Sequence, residues 1–299
     1  MVLSFNGRAD TLRCLESLAA QRGVAMHVIV VDNASADGSA AAVAAAFPAV
    51  ELIALAENRG WAGGNNVGIA AALRGGAEFV CLLNNDTVIA PETMAALVAA
   101  ARSLPPCLLH PGIDFADPAL GVQLDAGQGA SAEPIAGRSD VFPMDFAYGA
   151  CLLVPAALFA RIGVFDERFF LQLEEADFHA RACKVGVVAL CLAGARIVHA
   201  ESRSFGARII PLKTYYSVRN QLLLTEKHAA GPRAWLAGLR QAAWTVMNFA
   251  PAGSGWLAML RWLASADPYA RAGRAGFVDY VCRRFGAASA ARVRALALR

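Results

Sequence analysis

Five short polar clusters interrupt an otherwise apolar chain of 299 residues, and each holds side chains able to do chemistry. The first closes a hydrophobic run at Asp32-Asn33 and continues through Ser35, Asp37 and Gly38. A carboxylate at the end of a buried strand accepts a hydrogen bond from the imide N–H of uracil or thymine, and the residues after it turn the chain and cap a helix. The second is Glu57-Asn58-Arg59-Gly60-Trp61-Ala62-Gly63-Gly64-Asn65-Asn66. Its glycines let the backbone approach a ligand, and free amides at a helix start favour anions. The third, Asn84-Asn85-Asp86-Thr87, places a carboxylate at a strand end, which suits a hard cation bridging two phosphates. One carboxylate does not hold Mg²⁺ or Mn²⁺ alone, so water, phosphate oxygens and another side chain must complete the shell. The fourth, Glu174-Glu175-Ala176-Asp177, puts three carboxylates in the first turn of an expected helix. The helix dipole stabilises them there, and mutual repulsion perturbs their pKa values, as a general base requires. Asp177 faces away from Glu175 and reads as structural. The fifth is His199, after another expected strand, either a metal ligand or a core histidine.

Each cluster also has a bland reading. Asp32 sits equally well in a plain strand–turn–helix, Asp86 in an exposed turn, and the acidic trio in a helix cap. The glycine-rich loop is not the dinucleotide fingerprint, which would follow the first strand.

The elements that must position these residues alternate. Strands are expected at Val2–Phe5, Met26–Val31, Val50–Ala54 and Phe79–Leu83, with helices over 9–21, 39–46 and 62–73 between and after them. That order implies a mostly parallel, Rossmann-like sheet between helical layers, with ligands at the strand carboxyl ends. Residues 105–145, rich in Pro, Gly and Asp, read as a loop or short antiparallel ribbon. Regular structure resumes at 146–154, followed by helices over 155–162 and 174–184 and a strand at 187–191. No internal repeat is visible.

Hydrophobic residues make up 57% of the chain and charged residues 17%, so a large core is available and disorder is excluded for most of it. Charge is divided unevenly. Residues 1–202 carry 12 Lys/Arg against 21 Asp/Glu, and residues 203–299 carry 15 against 3. A basic, apolar tail implies an anionic surface as partner. No nucleic-acid motif accompanies it, so a membrane surface is the expectation and nucleic acid is not. From about 214 the pattern is helical. Ala234–Met259 carries Trp235, Trp244 and Trp256, but Arg240, Pro251 and Gly255 interrupt it, so an interfacial amphipathic hairpin is expected rather than a span. Seven scattered cysteines without a CxxC pair argue against a disulfide framework or zinc site and fit a reducing cytoplasm. No signal-peptide pattern opens the chain.

Taken in order, the clusters resemble the family 2 glycosyltransferases of the GT-A fold, and within them bacterial rhamnosyltransferase-like members that build cell-surface polysaccharide. The resemblance covers roughly residues 2–228. It implies a catalytic domain at 1–212 and a basic helical region at 213–299. It implies that Asp32 binds the nucleobase, with Ser4, Asn6, Asn33, Asn58, Gly63, Asn65, Asn66, Asn84 and Asn85 lining the nucleotide sugar. Asp86 and His199 would hold Mg²⁺ or Mn²⁺. Glu175 matches the base position, with Glu174 its competitor. Tyr215-Tyr216-Ser217-Val218-Arg219-Asn220 resembles the family's Y-Y-x-x-R-N segment, with Arg219 directed at the diphosphate or acceptor. The sequence departs at Asn84, where the first carboxylate of the D-x-D motif is missing, and at Glu175, where Asp is commoner.

The implied reaction is inverting transfer from a dTDP- or UDP-sugar, dTDP-rhamnose first, to a saccharide or polyprenyl-diphosphate-linked acceptor. The implied setting is the cytoplasmic face of the plasma membrane, with peripheral contact through 213–299 and a homodimer as a further expectation. Rival readings are a sugar-phosphate nucleotidyltransferase, which needs an Arg/Lys-bearing glycine loop after the first strand, and a non-catalytic nucleotide-sugar-binding subunit. A processive synthase would need membrane spans and Q-x-x-R-W, and Ala258 stands where its Gln should be.

Overall fold

The apolar runs and their polar ends form an alternating α/β unit in the computed structural model, which describes residues 1–125, 133–200, 210–251 and 256–296. The first half runs β1 (Val2–Ser4), α1 (Arg8–Ala19), β2 (Ile29–Asp32), α2 (Ser39–Ala46), β3 (Glu51–Ala54), α3 (Gly60–Arg74) and β4 (Phe79–Asn84). It continues through β5 (Thr87–Ile89), α4 (Thr93–Ser103), β6 (Leu108–Phe115), β7 (Val122–Leu124), β8 (Val141–Met144), β9 (Cys151–Pro155), α5 (Ala156–Ile162), α6 (Glu174–Cys183) and β10 (Ala189–His199). A helical run follows: α7 (Ile210–His228), α8 (Pro232–Met247), α9 (Trp256–Ala264), α10 (Pro268–Val281) and α11 (Ala290–Leu296).

The sheet is mixed, in the order β3-β2-β1-β4-β9-β6-β10-β5. β1 pairs in parallel with both β2 and β4, which puts a topological switch point at the carboxyl end of β1. β9 runs antiparallel between β4 and β6, and β10 runs parallel to β6 and antiparallel to β5. Side chains alternate between two cores. In β4, Leu83 joins the cluster of Leu15, Leu18 and Leu97, while Val80 and Leu82 join that of Ile69, Phe159 and Phe178. A sheet covered on both faces explains why its strands read as continuous apolar runs. The helix α3 lies close on this sheet. A Cβ at Gly64 would press on the Leu3 side chain, and one at Gly68 on Met1.

Residues 105–145 depart from the expectation. Leu108–Phe115 is a largely buried strand, not loop. Pro111 and Gly112 hid it, and both have a use. Pro111 has no N–H to give, and the register with β10 shifts there, from Leu192 opposite Pro111 to Arg196 opposite Gly112. Gly112 leaves room for the Arg196 guanidinium, which bonds Asp114 (Nε–Oδ2, 2.8 Å) and Asp125 (3.0 Å). Part of the expected loop, 126–132, lies outside the described residues. The helix α4, with Met94, Leu97 and Ala100 buried, was not anticipated. The strand expected at Met26–Val31 starts only at Ile29, and the one expected to end at Cys191 runs on to His199.

The chain divides into two compact units, Met1–Phe165 with Phe178–Ser204, and Asp166–Asp177 with Phe205–Arg299. The expected boundary at 212/213 did not anticipate that Asp166–Asp177 belongs with the helices. Within the second unit α7 buries Tyr215, Tyr216, Leu222 and Leu223. In place of a simple hairpin, α8 packs chiefly on α7, and α9 against α10. Gly255 and the Trp256 side chain lie outside the described residues. Among the described residues no helix is long and apolar enough to cross a membrane. A Cβ at Gly276 of α10 would stand 2.6 Å from the Tyr215 carbonyl oxygen of α7. Backbone has no rotamer with which to yield, so Gly276→Ala is expected to destabilise this unit by about 1–3 kcal/mol, read as a lower thermal midpoint.

Candidate functional site

Four parallel strands deliver their last residues to one edge: Ser4, Asp32, Ala54 and Asn84. Asp32 is 3% exposed, and its Oδ2 accepts the Ser35 amide at 3.0 Å. Its Oδ1 is buried and has no partner among the described residues. A buried acceptor left empty is costly unless something completes it. Asp32 therefore stands apart from the polar residues around it, whose hydrogen bonds go to the protein itself.

Those neighbours build the cradle. Ser4 Oγ bonds Thr11 Oγ1 at 2.9 Å, and Asn85 donates to the same hydroxyl at 2.9 Å. Asn6, in the left-handed region at φ 50°, accepts the Ala36 amide at 2.8 Å and donates its own amide to Ser35 Oγ at 3.0 Å. That stitches the loop after β1 to the loop after β2. Asn33 accepts the Arg59 amide (2.9 Å) and donates to Asn58 Oδ1 and the Gly60 carbonyl, both at 3.0 Å. Asn58 in turn accepts the Gly60 amide at 2.7 Å, which fixes the entry to α3. Asn65 donates to the Trp61 carbonyl at 2.8 Å, and Asn66 clasps both backbone groups of Phe165, at 2.9 and 3.0 Å. Gly63 is buried on α3 among them. The paired Asn residues thus hold the loops that surround Asp32.

Asp86 and His199 are 113 positions apart in sequence, and the sheet register joins them. β10 pairs antiparallel with β5 so that His199 faces Thr87, and the Ala200 amide bonds the Asp86 carbonyl at 2.9 Å. His199 Nε2 lies 3.1 Å from Asp86 Oδ1, with both side chains at most 10% exposed. Asn84 reaches the same imidazole at 3.5 Å and accepts the Trp61 indole N–H at 3.2 Å, a link the sequence did not reveal. Imidazole and carboxylate together suit a divalent ion such as Mn²⁺. Among the described residues no group of three or more His, Cys, Asp or Glu could hold a metal ion. Two such side chains would leave most of a metal's shell to water and to a ligand's own oxygens, the arrangement expected where a metal binds with its substrate.

In the second unit, Glu174 is 3% exposed and Glu175 half-buried, and each has one carboxylate oxygen that is buried without a partner among the described residues. Burial, and then the charge of Glu175, pushes the Glu174 carboxyl well above the usual range, and burial raises Glu175. Asp177 differs. It is fully buried and meets Lys227 at 2.6 Å and His228 at 2.8 Å, a structural network that accords with its reading from sequence. Arg219 corrects an expectation. It is fully buried, and its guanidinium donates to the carbonyls of Arg168, Phe169 and Gly286, to the Tyr215 hydroxyl and to Asn220 Oδ1. All five donors have acceptors, so none remains for a diphosphate.

With this geometry in place, the likeness of the chain to known proteins has a physical footing. The sequence model of Glycosyl transferase family 2 matches residues 1–142, which carry the Asp32 edge and Asp86. Residues 1–142 carry the sequence pattern of glycosyl transferase family 2. It is 26% identical over 259 residues to the N-acetylglucosaminyl-diphospho-decaprenol L-rhamnosyltransferase of Mycobacterium tuberculosis, covering 77% of this chain and 82% of that protein. It is 40% identical over 102 residues to the succinoglycan biosynthesis protein ExoO of Rhizobium meliloti. That alignment covers 34% of this chain and spans only 28% of ExoO. In three dimensions it is similar to a mannosyltransferase from Pyrobaculum calidifontis in complex with GDP-Man and Mn²⁺, at TM-score 0.56 and 18% identity, over 95% of this chain and 86% of that one. The fold of the chain is accordingly the GT-A one.

Proposed function

We propose that this family 2 glycosyltransferase moves a sugar, rhamnose first, from a dTDP- or UDP-sugar to a saccharide or polyprenyl-diphosphate-linked acceptor, with inversion. The observation that carries the reading is the empty, buried Oδ1 of Asp32 at the carboxyl end of β2. It matches the imide N–H of a pyrimidine base, and the surrounding Asn residues hold the cradle still. The rhamnosyltransferase name of the mycobacterial relative supports the choice of sugar and of a lipid-linked acceptor.

In the proposed reaction the acceptor hydroxyl oxygen attacks the anomeric carbon as the bond to the nucleoside diphosphate breaks. Glu175 takes the hydroxyl proton, because it is the more exposed member of its pair and carries an oxygen with no partner among the described residues. Asp86 and His199 would hold Mg²⁺ or Mn²⁺, which supplies positive charge against the departing diphosphate. The outward apolar side chains of α8, Leu236 at 60% and Trp244 at 58% exposed, lie in the basic tail and are assigned to a membrane surface bearing the acceptor.

Thermal-shift titration with dTDP-, UDP- and GDP-sugars in the presence of Mn²⁺ tests the donor. Stabilisation of about 2.7 kcal/mol is expected at a hundredfold excess over Kd for the thymidine or uridine donors, and Asp32→Ala should abolish it. A wild-type protein that responds to none of them would refute the reading. Retained full binding in Asp32→Ala would refute the role of Asp32.

A further inference from the structure

The segment Asp166–Asp177 leads into the two glutamates along an unfavourable path. Phe170, Gln172 and Leu173 adopt φ values of 63°, 73° and 69°, in the left-handed region that side-chain-bearing residues avoid. Three such residues within four positions, none of them glycine, persist only where the surroundings over-determine them. Here the determinant is α7. Arg219 Nη2 donates to the carbonyls of Arg168 and Phe169, each at 3.0 Å, and Asn220 Nδ2 donates to those of Phe169, Leu171 and Gln172, each at 2.8 Å. Asn220 and Arg219 are both fully buried and bond each other at 3.0 Å. The Tyr216 ring stacks on Phe170 at 5.4 Å, and Arg219 lies 4.8 Å over the same tyrosine. Lys227, two turns further along α7, bridges the two ends of the segment, 2.6 Å from Asp166 and 2.6 Å from Asp177.

We infer that Arg219 and Asn220 are positioning residues for the Glu174–Glu175 pair. They hold residues 168–173 in a conformation those residues disfavour, and so set the direction in which the two carboxyls leave the first turn of α6. The inference rests on the proposed role of Glu175 as base. It explains why Arg and Asn stand side by side: one supplies a rigid fork for the carbonyls of Arg168 and Phe169, the other an amide that shares the Phe169 carbonyl and reaches two more, Leu171 and Gln172. Neither needs to touch a substrate. Their effect falls on the geometry of proton removal, and donor binding at the Asp32 edge is untouched.

The test compares Asn220→Ala, Arg219→Met and Arg219→Lys in the full chain with Glu174→Gln and Glu175→Gln. Asn220→Ala is expected to lower kcat about 10- to 100-fold while KM for the sugar nucleotide and the donor-induced thermal shift stay within about twofold. Hydrogen exchange over 168–175 should accelerate in Asn220→Ala even if its overall stability drops. Arg219→Lys, which keeps a donor for the loop carbonyls, should recover part of the kcat lost in Arg219→Met. Unchanged kcat or unchanged loop exchange in Asn220→Ala overturns the inference, as does a loss shared equally by kcat and donor KM. Failure of the underlying base assignment is separable, because Glu174→Gln and Glu175→Gln would then both retain full kcat.

Discussion

Glu175→Gln is expected to lower kcat for glycosyl transfer by about 10²–10⁴-fold, with KM for the sugar nucleotide nearly unchanged. Gln keeps the shape of the side chain and removes only its capacity to take a proton. The pH dependence gives an independent check. Burial raises the Glu175 carboxyl, and a base works only when deprotonated, so the acidic limb of the kcat profile should fall above the ordinary glutamate range of about 4.3. Glu174→Gln should behave differently. In the folded protein, burial and the neighbouring charge favour the protonated form of Glu174, so its contribution to stability is full at low pH and declines as pH rises through its raised pKa. A side chain that cannot ionise escapes that decline. Glu174→Gln should therefore raise the thermal midpoint at neutral pH, by the equivalent of about 1–3 kcal/mol, and lose the advantage below about pH 4. If Glu174→Gln lost as much kcat as Glu175→Gln and gained no stability, the roles of the two would need exchanging.

The second large effect concerns the Asp86–His199 pair. Asp86→Ala is expected to cost about 10²–10³-fold in kcat, the range seen when one electrostatic partner of a developing charge is removed. His199→Ala should cost less, and the double variant little more than Asp86→Ala, since both side chains contribute to one site. Chelation of divalent metal should abolish wild-type turnover, and Mn²⁺ should restore it. In Asp86→Ala the restoring concentration should rise by a factor of about ten or more. Full activity in chelator would remove the metal from the mechanism.

The fold was legible where hydrophobic period and turn chemistry agree. Strands ending in Asp32 and Asn84, with helices after them, follow from apolar runs capped by Asn, Asp and Gly. The strand Leu108–Phe115 was hidden because Pro111 and Gly112 carry the signals of a loop, and only the irregular register with β10 makes them tolerable. The helix Thr93–Ser103 shows the helical period in Met94, Leu97 and Ala100, a signal passed over between two more conspicuous clusters. At the site, residue type exposed Asp32 and the acidic trio, but nothing in the spacing joins His199 to Asp86. That pairing comes from an antiparallel register between distant strands. Arg219 misled for a related reason: the resemblance of its segment directed it at the diphosphate or acceptor, and only its burial shows it bound to backbone carbonyls.

The cysteines, free throughout, carry a practical consequence. Cys14, Cys107, Cys151 and Cys191 are buried and Cys81 half-buried, whereas Cys183 and Cys282 are exposed, one in each compact unit. Maleimide dyes should therefore enter the native chain at those two thiols first, giving a donor–acceptor pair with no engineered residue.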